Sequence, residues 1–177
     1  HCHATVSVSA SSIYVGGLIG RNDGGAVSEC YAESDILGSS SHAGGLVGAN
    51  EVATVSECYA LGDVSADSYA GGLVGFNRQS TVRDCYATGR VWSAGIEVGG
   101  LIGINILGTV QRSYATGLVS GFDLGGLIGR VVSGPVSACY WDKQTSGQSG
   151  GVGVGSSAGV EGKTTAAWQT SRAQSTL

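Results

Sequence analysis

The sequence predicts an all-β chain, a single-domain parallel β-solenoid (β-helix) of about six coils with roughly 27 residues in each. Three observations predict it. A Gly-Gly-Leu triplet recurs at Gly16, Gly44, Gly71, Gly99 and Gly125. A second marker keeps step with it: Cys30-Tyr31, Cys58-Tyr59, Cys85-Tyr86, Ser113-Tyr114 and Cys139-Tyr140. Between the markers, Val, Ile, Thr and Tyr sit in short bursts separated by glycine, with no helical period, which is the pattern of strands and turns. A fixed period of this length is the mark of a stacked repeat.

One lap of 27 residues accommodates two or three short strands with corners at about 3.3 Å per residue. Laps stacked about 4.8 Å apart place each strand in parallel register with the one above. About six laps make a rod on the order of 25–30 Å long. Counting back from Cys30 lands on Cys2, so the chain opens partway through a further copy. Its first lap then presents an unpaired strand edge, to be covered by preceding repeats or by a docked neighbour.

Within a lap, slots that stay small or apolar face inward and slots that vary face outward. In "VSECYALGDVS", Val55, Cys58, Ala60 and Val64 are of the first kind, and Glu57, Leu61 and Asp63 of the second. Val55 and Cys58 are three apart, which breaks the alternation and puts a corner or bulge at Ser56-Glu57. Leu18, Leu46, Leu73, Leu101 and Leu127 form another inward ladder. Gly44, Gly45 and Gly48 are expected to supply a tight path and positive φ. Residues 1–142 form the repeat region. Residues 143–162 are rich in Gly, Ser and Gln and read as loop, and residues 163–177 read as a short capping helix anchored by Trp168.

Cys2, Cys30, Cys58, Cys85, Ser113 and Cys139 occupy one slot, a column of buried small side chains. An odd number of cysteines in one column does not make a disulfide framework, and side chains spaced by one strand do not converge on zinc. Asn22, Asn50, Asn77 and Asn105 form a second column, suited to corners and able to bond amide to amide along the rod. Val131 ends it. His1-Cys2-His3 resembles a metal tag, but Cys2 falls in the buried column and His3 in the tyrosine slot, so no metal or cofactor is assigned.

These markers also carry a resemblance. "GGLVGxN" followed by "VxxCYATGxVS", from residue 2 to about 142, resembles the GLUG repeat family of bacterial surface proteins, and the ending from Cys139 is similar to the segment that closes such arrays. Ser113 and Val131 depart from the pattern. The resemblance implies a non-catalytic, extracellular or cell-surface location in bacteria, within adhesin-like proteins or as accessory repeats outside the catalytic domain of IgA-specific metallopeptidases. It implies no particular ligand.

Composition is consistent with that reading. The net charge of −4 gives nothing that would hold nucleic acid, and no apolar run approaches the ~20 residues of a membrane helix, so membrane insertion is not expected. The first residues do not read as a signal peptide, which leaves a removed leader or a longer parent chain open. No nucleophile, His-Glu-x-x-His or phosphate-loop motif is present, and the chain is not expected to be an enzyme. Asp35, Asp63, Asp123 and Asp142 are the carboxylates to consider as glycosidase acids, but they read as scattered over different slots.

Recognition therefore rests on outward side chains. Tyr31, Tyr59, Tyr86, Tyr114 and Tyr140 form an aromatic column that either stacks on itself and is covered by the tail, or offers a platform to sugar rings or a partner. Tyr14, His42 and Tyr69 form a second stripe, continued by Glu97 and Asp123, beside the variable stretches "SSSHA", "DSYA", "AGIEV" and "FDL". The functions considered are an adhesin-like stalk or binding segment with a protein or glycan surface ligand, a subunit that self-associates through coil ends into an extracellular fibre, and an accessory module of a surface peptidase.

Overall fold

Glycine pairs and left-handed corner residues divide this chain into strands of two to six residues, too short to be stable except by stacking. A computed structural model describes residues 1–38 and 41–168. One lap holds five strands, not two or three. In the lap beginning at Val47 they are Val47–Glu51 (face 1), Thr54–Ser56 (face 2), Tyr59–Ala60 (face 3), Val64–Ala66 (face 4) and Ala70–Gly71 (face 5). Each pairs in parallel with its equivalents one lap below and one above: Val55 lies between Val27 and Val82, and Ala60 between Ala32 and Ala87. Faces 2, 4 and 5 carry five strands, face 1 six and face 3 seven. The stack is therefore about five complete turns with a partial turn at the C-terminal side, slightly shorter than the six expected.

The corners explain the extra strands. Glu29, Glu57, Asp84, Arg112 and Ala138 all have positive φ, between 44° and 56°, at the break placed between Val55 and Cys58. A second corner falls at Gly24, Val52, Gln79 and Leu107, again with positive φ. The repeated glycine pairs serve a different purpose from the one expected, because neither Gly44, Gly45 nor Gly48 has positive φ. They permit close approach. A Cβ on Gly45 would lie 2.2 Å from the Gly72 carbonyl oxygen and 2.9 Å from the Ala60 Cβ. The lap is pinched where this glycine meets face 3, and the apolar interior divides into two lobes. One contains the leucine ladder, Val55, Cys58 and Ala60. The other contains Ile36, Val64, Ala70, Val91 and Val98.

The residues after 142 are not only loop. Asp142 caps a short helix, Lys143–Ser146, by accepting bonds from the Gln144 and Thr145 amides. Val152–Val154 then joins face 1 and Val160–Lys163 joins face 3. Here the internal pattern is exchanged. Trp141 takes the slot held elsewhere by Ala115 and its equivalents, and Gly151 stands where Leu127 stood, bonded to the Leu127 and Ile128 amides. A Cβ on Gly151 would lie 2.5 Å from the indole, and one on Gly162 2.6 Å from it. The large ring fills the volume the missing leucine leaves, and its Nε1–H donates to the Gln148 carbonyl at 3.1 Å. Gln148 Nε2 also donates to the Val119 carbonyl on the last strand of face 4, at 2.8 Å. The next described turn, 165–168, is helical and brings Trp168 against Tyr114 and Tyr140. The rest of the expected helix, 169–177, lies outside the described residues.

Leu73 is fully buried in the middle of its ladder, whereas Leu61 is 37% exposed. Leu73→Asp is expected to cost more than about 4 kcal/mol, because it places an unpaired charge in an apolar interior. Leu61→Asp is expected to cost less than about 1 kcal/mol. Urea unfolding of the two variants checks this, and equal midpoints would contradict the inside-outside assignment.

Candidate interaction surface

The cysteine column has a task that apolar packing alone does not explain. Each side chain reaches back across its left-handed corner. Cys30, Cys58, Cys85 and Cys139 Sγ donate to the carbonyls of Ser28, Ser56, Arg83 and Ser137 at 3.1, 3.1, 3.0 and 3.2 Å. Cys58 Sγ also accepts from the lap below, from Cys30 N–H at 3.4 Å. Ser113 does both, donating to Gln111 at 2.7 Å and accepting from the Cys85 amide at 3.1 Å. A thiol or hydroxyl is thus the small side chain that satisfies the backbone groups a corner leaves over. Ser80 works alike at the other corner, donating to Arg78 at 2.7 Å and accepting from the Ala53 amide at 2.9 Å. No column marks it in the sequence, because neighbouring laps have Gly25, Ala53 and Gly108 there. Cys2 departs from the expectation: it is exposed, because no earlier lap lies over it in the structure, while the other four cysteines are buried and all five are free. Burial pushes the Cys139 thiol up, and the Cys58 sulfur together with burial does the same to Cys85.

The asparagines make a continuous amide ladder. Nδ2 of Asn22, Asn50 and Asn77 donates to Oδ1 of the next asparagine at 2.9, 3.0 and 2.7 Å. Asn105 has no amide above it, since Val131 takes the slot, and donates instead to the Gly108 carbonyl at 2.9 Å. These residues sit within face 1 strands. The left-handed residue follows two positions later, so asparagine is used here for its amide and not for its backbone tolerance.

The tyrosine column stacks on itself. His3, Tyr31, Tyr59, Tyr86 and Tyr114 follow one another at centroid distances of 5.0, 4.8, 4.9 and 5.1 Å, within 8° of parallel. Trp168 packs on Tyr114 at 5.1 Å, and Lys163 Nζ lies 3.9 Å from the Tyr140 ring centroid. Stacking takes up the ring faces along the column, leaving edges and hydroxyls outside. Loss of solvation and neighbouring phenols push the Tyr59 and Tyr86 hydroxyls up.

The second stripe is also packed. His42 stacks on Tyr69 at 4.6 Å and meets Phe76 edge-on at 5.0 Å, while Arg21 lies 5.9 Å from the Tyr14 ring centroid. Burial lowers the His42 pKa. Glu97 takes the stripe's fourth position and is buried, with Arg130 Nη1 2.7 Å from Oε1. Its Oε2 has no partner among the described residues. Glu51 is buried too, bridging Arg21 at 3.0 Å and Arg78 at 2.5 Å across three laps. Of the variable stretches beside the stripe, Ser39 and Ser40 lie outside the described residues.

The aspartates have structural tasks. Asp35 and Asp63 do not occupy different slots but stand one above the other. Asp35 Oδ1 accepts from the Asp63 amide at 2.9 Å, and Asp63 Oδ1 from the Arg90 amide at 2.7 Å. Asp142 is the helix cap described above, and Asp123 has positive φ at a face 5 corner. Among the described residues, no three of His, Cys, Asp and Glu converge as a metal site, and no helix is long and apolar enough to cross a membrane.

Two measurements check this arrangement. Thiol titration of native protein is expected to modify Cys2 alone, with the four buried thiols reacting only on unfolding. Cys58→Ser is expected to cost less than about 1.5 kcal/mol, because serine keeps both corner bonds. Rapid native modification of all five thiols would refute the burial. Asn77→Ala removes two amide bonds and strands the groups of Asn50 and Asn105, so denaturant unfolding should show a loss of about 2–4 kcal/mol. A loss comparable to an exposed substitution would show that the ladder contributes little.

A family model for the GLUG motif matches three consecutive stretches, residues 11–37, 39–65 and 66–91. Comparison with curated proteins finds no match. Comparison with solved structures likewise finds none. The three matched stretches coincide with successive laps, and the same register continues through Val110, Tyr114 and Ile128 beyond them. Residues 11–91 are three consecutive GLUG repeats, and the laps that follow them keep the same stacking pattern.

Proposed function

We propose that this repeat module is a non-catalytic segment of a bacterial extracellular or cell-surface protein, an adhesin-like stalk or binding segment whose partner is a protein or glycan surface. The observation that carries the reading is the axial bonding of the polar columns. Asparagine amides, corner thiols and the Asp35–Asp63 pair bond to the lap above or below. Such a rod holds its length and presents variable side chains at fixed spacing, which is what a spacer or binding scaffold needs. Of the four candidate carboxylates, Asp35, Asp63 and Asp142 accept bonds from backbone amides, which supports a module without chemistry of its own. Export is compatible with free thiols when they are buried, as Cys30, Cys58, Cys85 and Cys139 are. The surface location itself rests on the resemblance to bacterial surface repeats.

Assembly of this chain end to end into a fibre is the less favoured reading, because Trp141, the helix Lys143–Ser146 and Gln148 would have to be displaced from the C-terminal laps. Immunodetection on source cells tests the location. The expected signal appears on intact cells and disappears after protease treatment from outside. A signal that needs lysis would refute the surface assignment.

A further inference from the structure

We infer that the outer side of face 4 is a binding site for a neutral saccharide, with Trp92 as the stacking platform. The inference rests on the binding-segment reading above and names the ligand class. Face 4 carries one outward column in register: Ser9, Leu37, Ser65, Trp92 and Ser120. Trp92 is 48% exposed, whereas the two other tryptophans are packed into the C-terminal partial turn and against the tyrosine column. Its neighbours above and below are both serines, too small to cover an indole. The contrast with the tyrosine column is geometric. There each ring face is taken up by another ring about one strand spacing away, while the Trp92 ring has a small residue on either side.

The surroundings supply the polar half of sugar recognition. A groove of about 530 Å³ adjoins Ser65, one strand from Trp92, and is lined by Ser9, Ser11, Leu37, Ser65 and Asp67 together with backbone. Hydroxyls and a carboxylate beside an exposed indole suit a pyranose, which offers apolar C–H groups on one face and hydroxyls at its edge. Two positions before the column, Asp35, Asp63, Arg90 and Leu118 are also exposed. Three aspartates, Asp35, Asp63 and Asp67, therefore stand against one arginine, a charge balance that disfavours sulfated or uronic acid polymers and leaves neutral sugars. The groove extends from Ser65 over Leu37 to Ser9, two laps further from Trp92, so the ligand is an oligosaccharide lying along the rod.

Isothermal titration of the whole chain with soluble hexasaccharides of glucose, mannose, galactose and N-acetylglucosamine tests the site, with heparin hexasaccharide as the anionic comparison. At least one neutral sugar is expected to bind saturably. Trp92→Ala should weaken that binding about tenfold or more, and Trp92→Tyr by less, as loss of one stacking ring predicts. Because the side chain is exposed, both variants should keep the melting temperature of the parent. Absence of saturable binding by every neutral sugar, or equal affinity in Trp92→Ala, overturns the inference. Binding of heparin alone also overturns it, while leaving the binding-segment reading in place.

Discussion

Everything in this molecule depends on parallel pairing of each residue with its own counterpart in the next lap. Strands this short have no independent stability, and a lap alone cannot bury its apolar side chains. Once Val55 lies on Val27 and Val82, the remaining residues of the lap are held in the same order. A buried polar atom then has one dependable partner, the same atom one lap away. The asparagine column obeys that condition with a row of amide bonds. Cys58 meets it with one bond along the axis and one across its own corner.

The same condition governs the ends. Interior laps can be alike because each has a lap on both sides. The last described lap has none on one side among the described residues, and repetition there would expose leucines and leave a bare edge. The chain answers by exchanging volumes between slots: tryptophan replaces alanine at 141, and glycine replaces leucine at 151. Ser133 receives the Asn105 amide at 3.4 Å where the asparagine column stops. The stack ends by changed composition and not by mere cessation.

Outside the rod, stacking at strand spacing removes as many surfaces as it creates. Identical aromatics in one slot lie face to face and offer little but their edges. A ring that stands between serines, as Trp92 does, has no second ring stacked on it from the neighbouring laps. The chemistry available to a partner therefore depends on where the repeat varies, as it does at Trp92, more than on where it recurs.

The sequence by itself determined the architecture. Two markers in step and an inside-outside alternation define which residues stack on which, and the structure has that register through the repeated laps apart from a one-residue shift after Asn105, where Ile106 pairs with Ser133. The corner at Glu57 was legible because Val55 and Cys58 break the period of two. The amide ladder was legible because asparagine recurs in one slot. Tertiary structure decided what a period cannot express. Only the folded lap shows that Gly45 is required by Ala60 across the interior and not by a turn, since both contacts are distant in sequence. Only it shows five strands per lap, because corners formed by Val52, Gln79 and Leu107 carry no turn signature. The thiol's bonds, the Asp35–Asp63 pairing, the Trp141 exchange and the packed faces of the tyrosines likewise arise between laps. The axial thiol bond, the aspartate pair and the stacked rings join residues 27 or 28 positions apart, and the Trp141 contacts reach residues 7 to 21 positions away, so that closeness along the rod, which the folded lap creates, decides them.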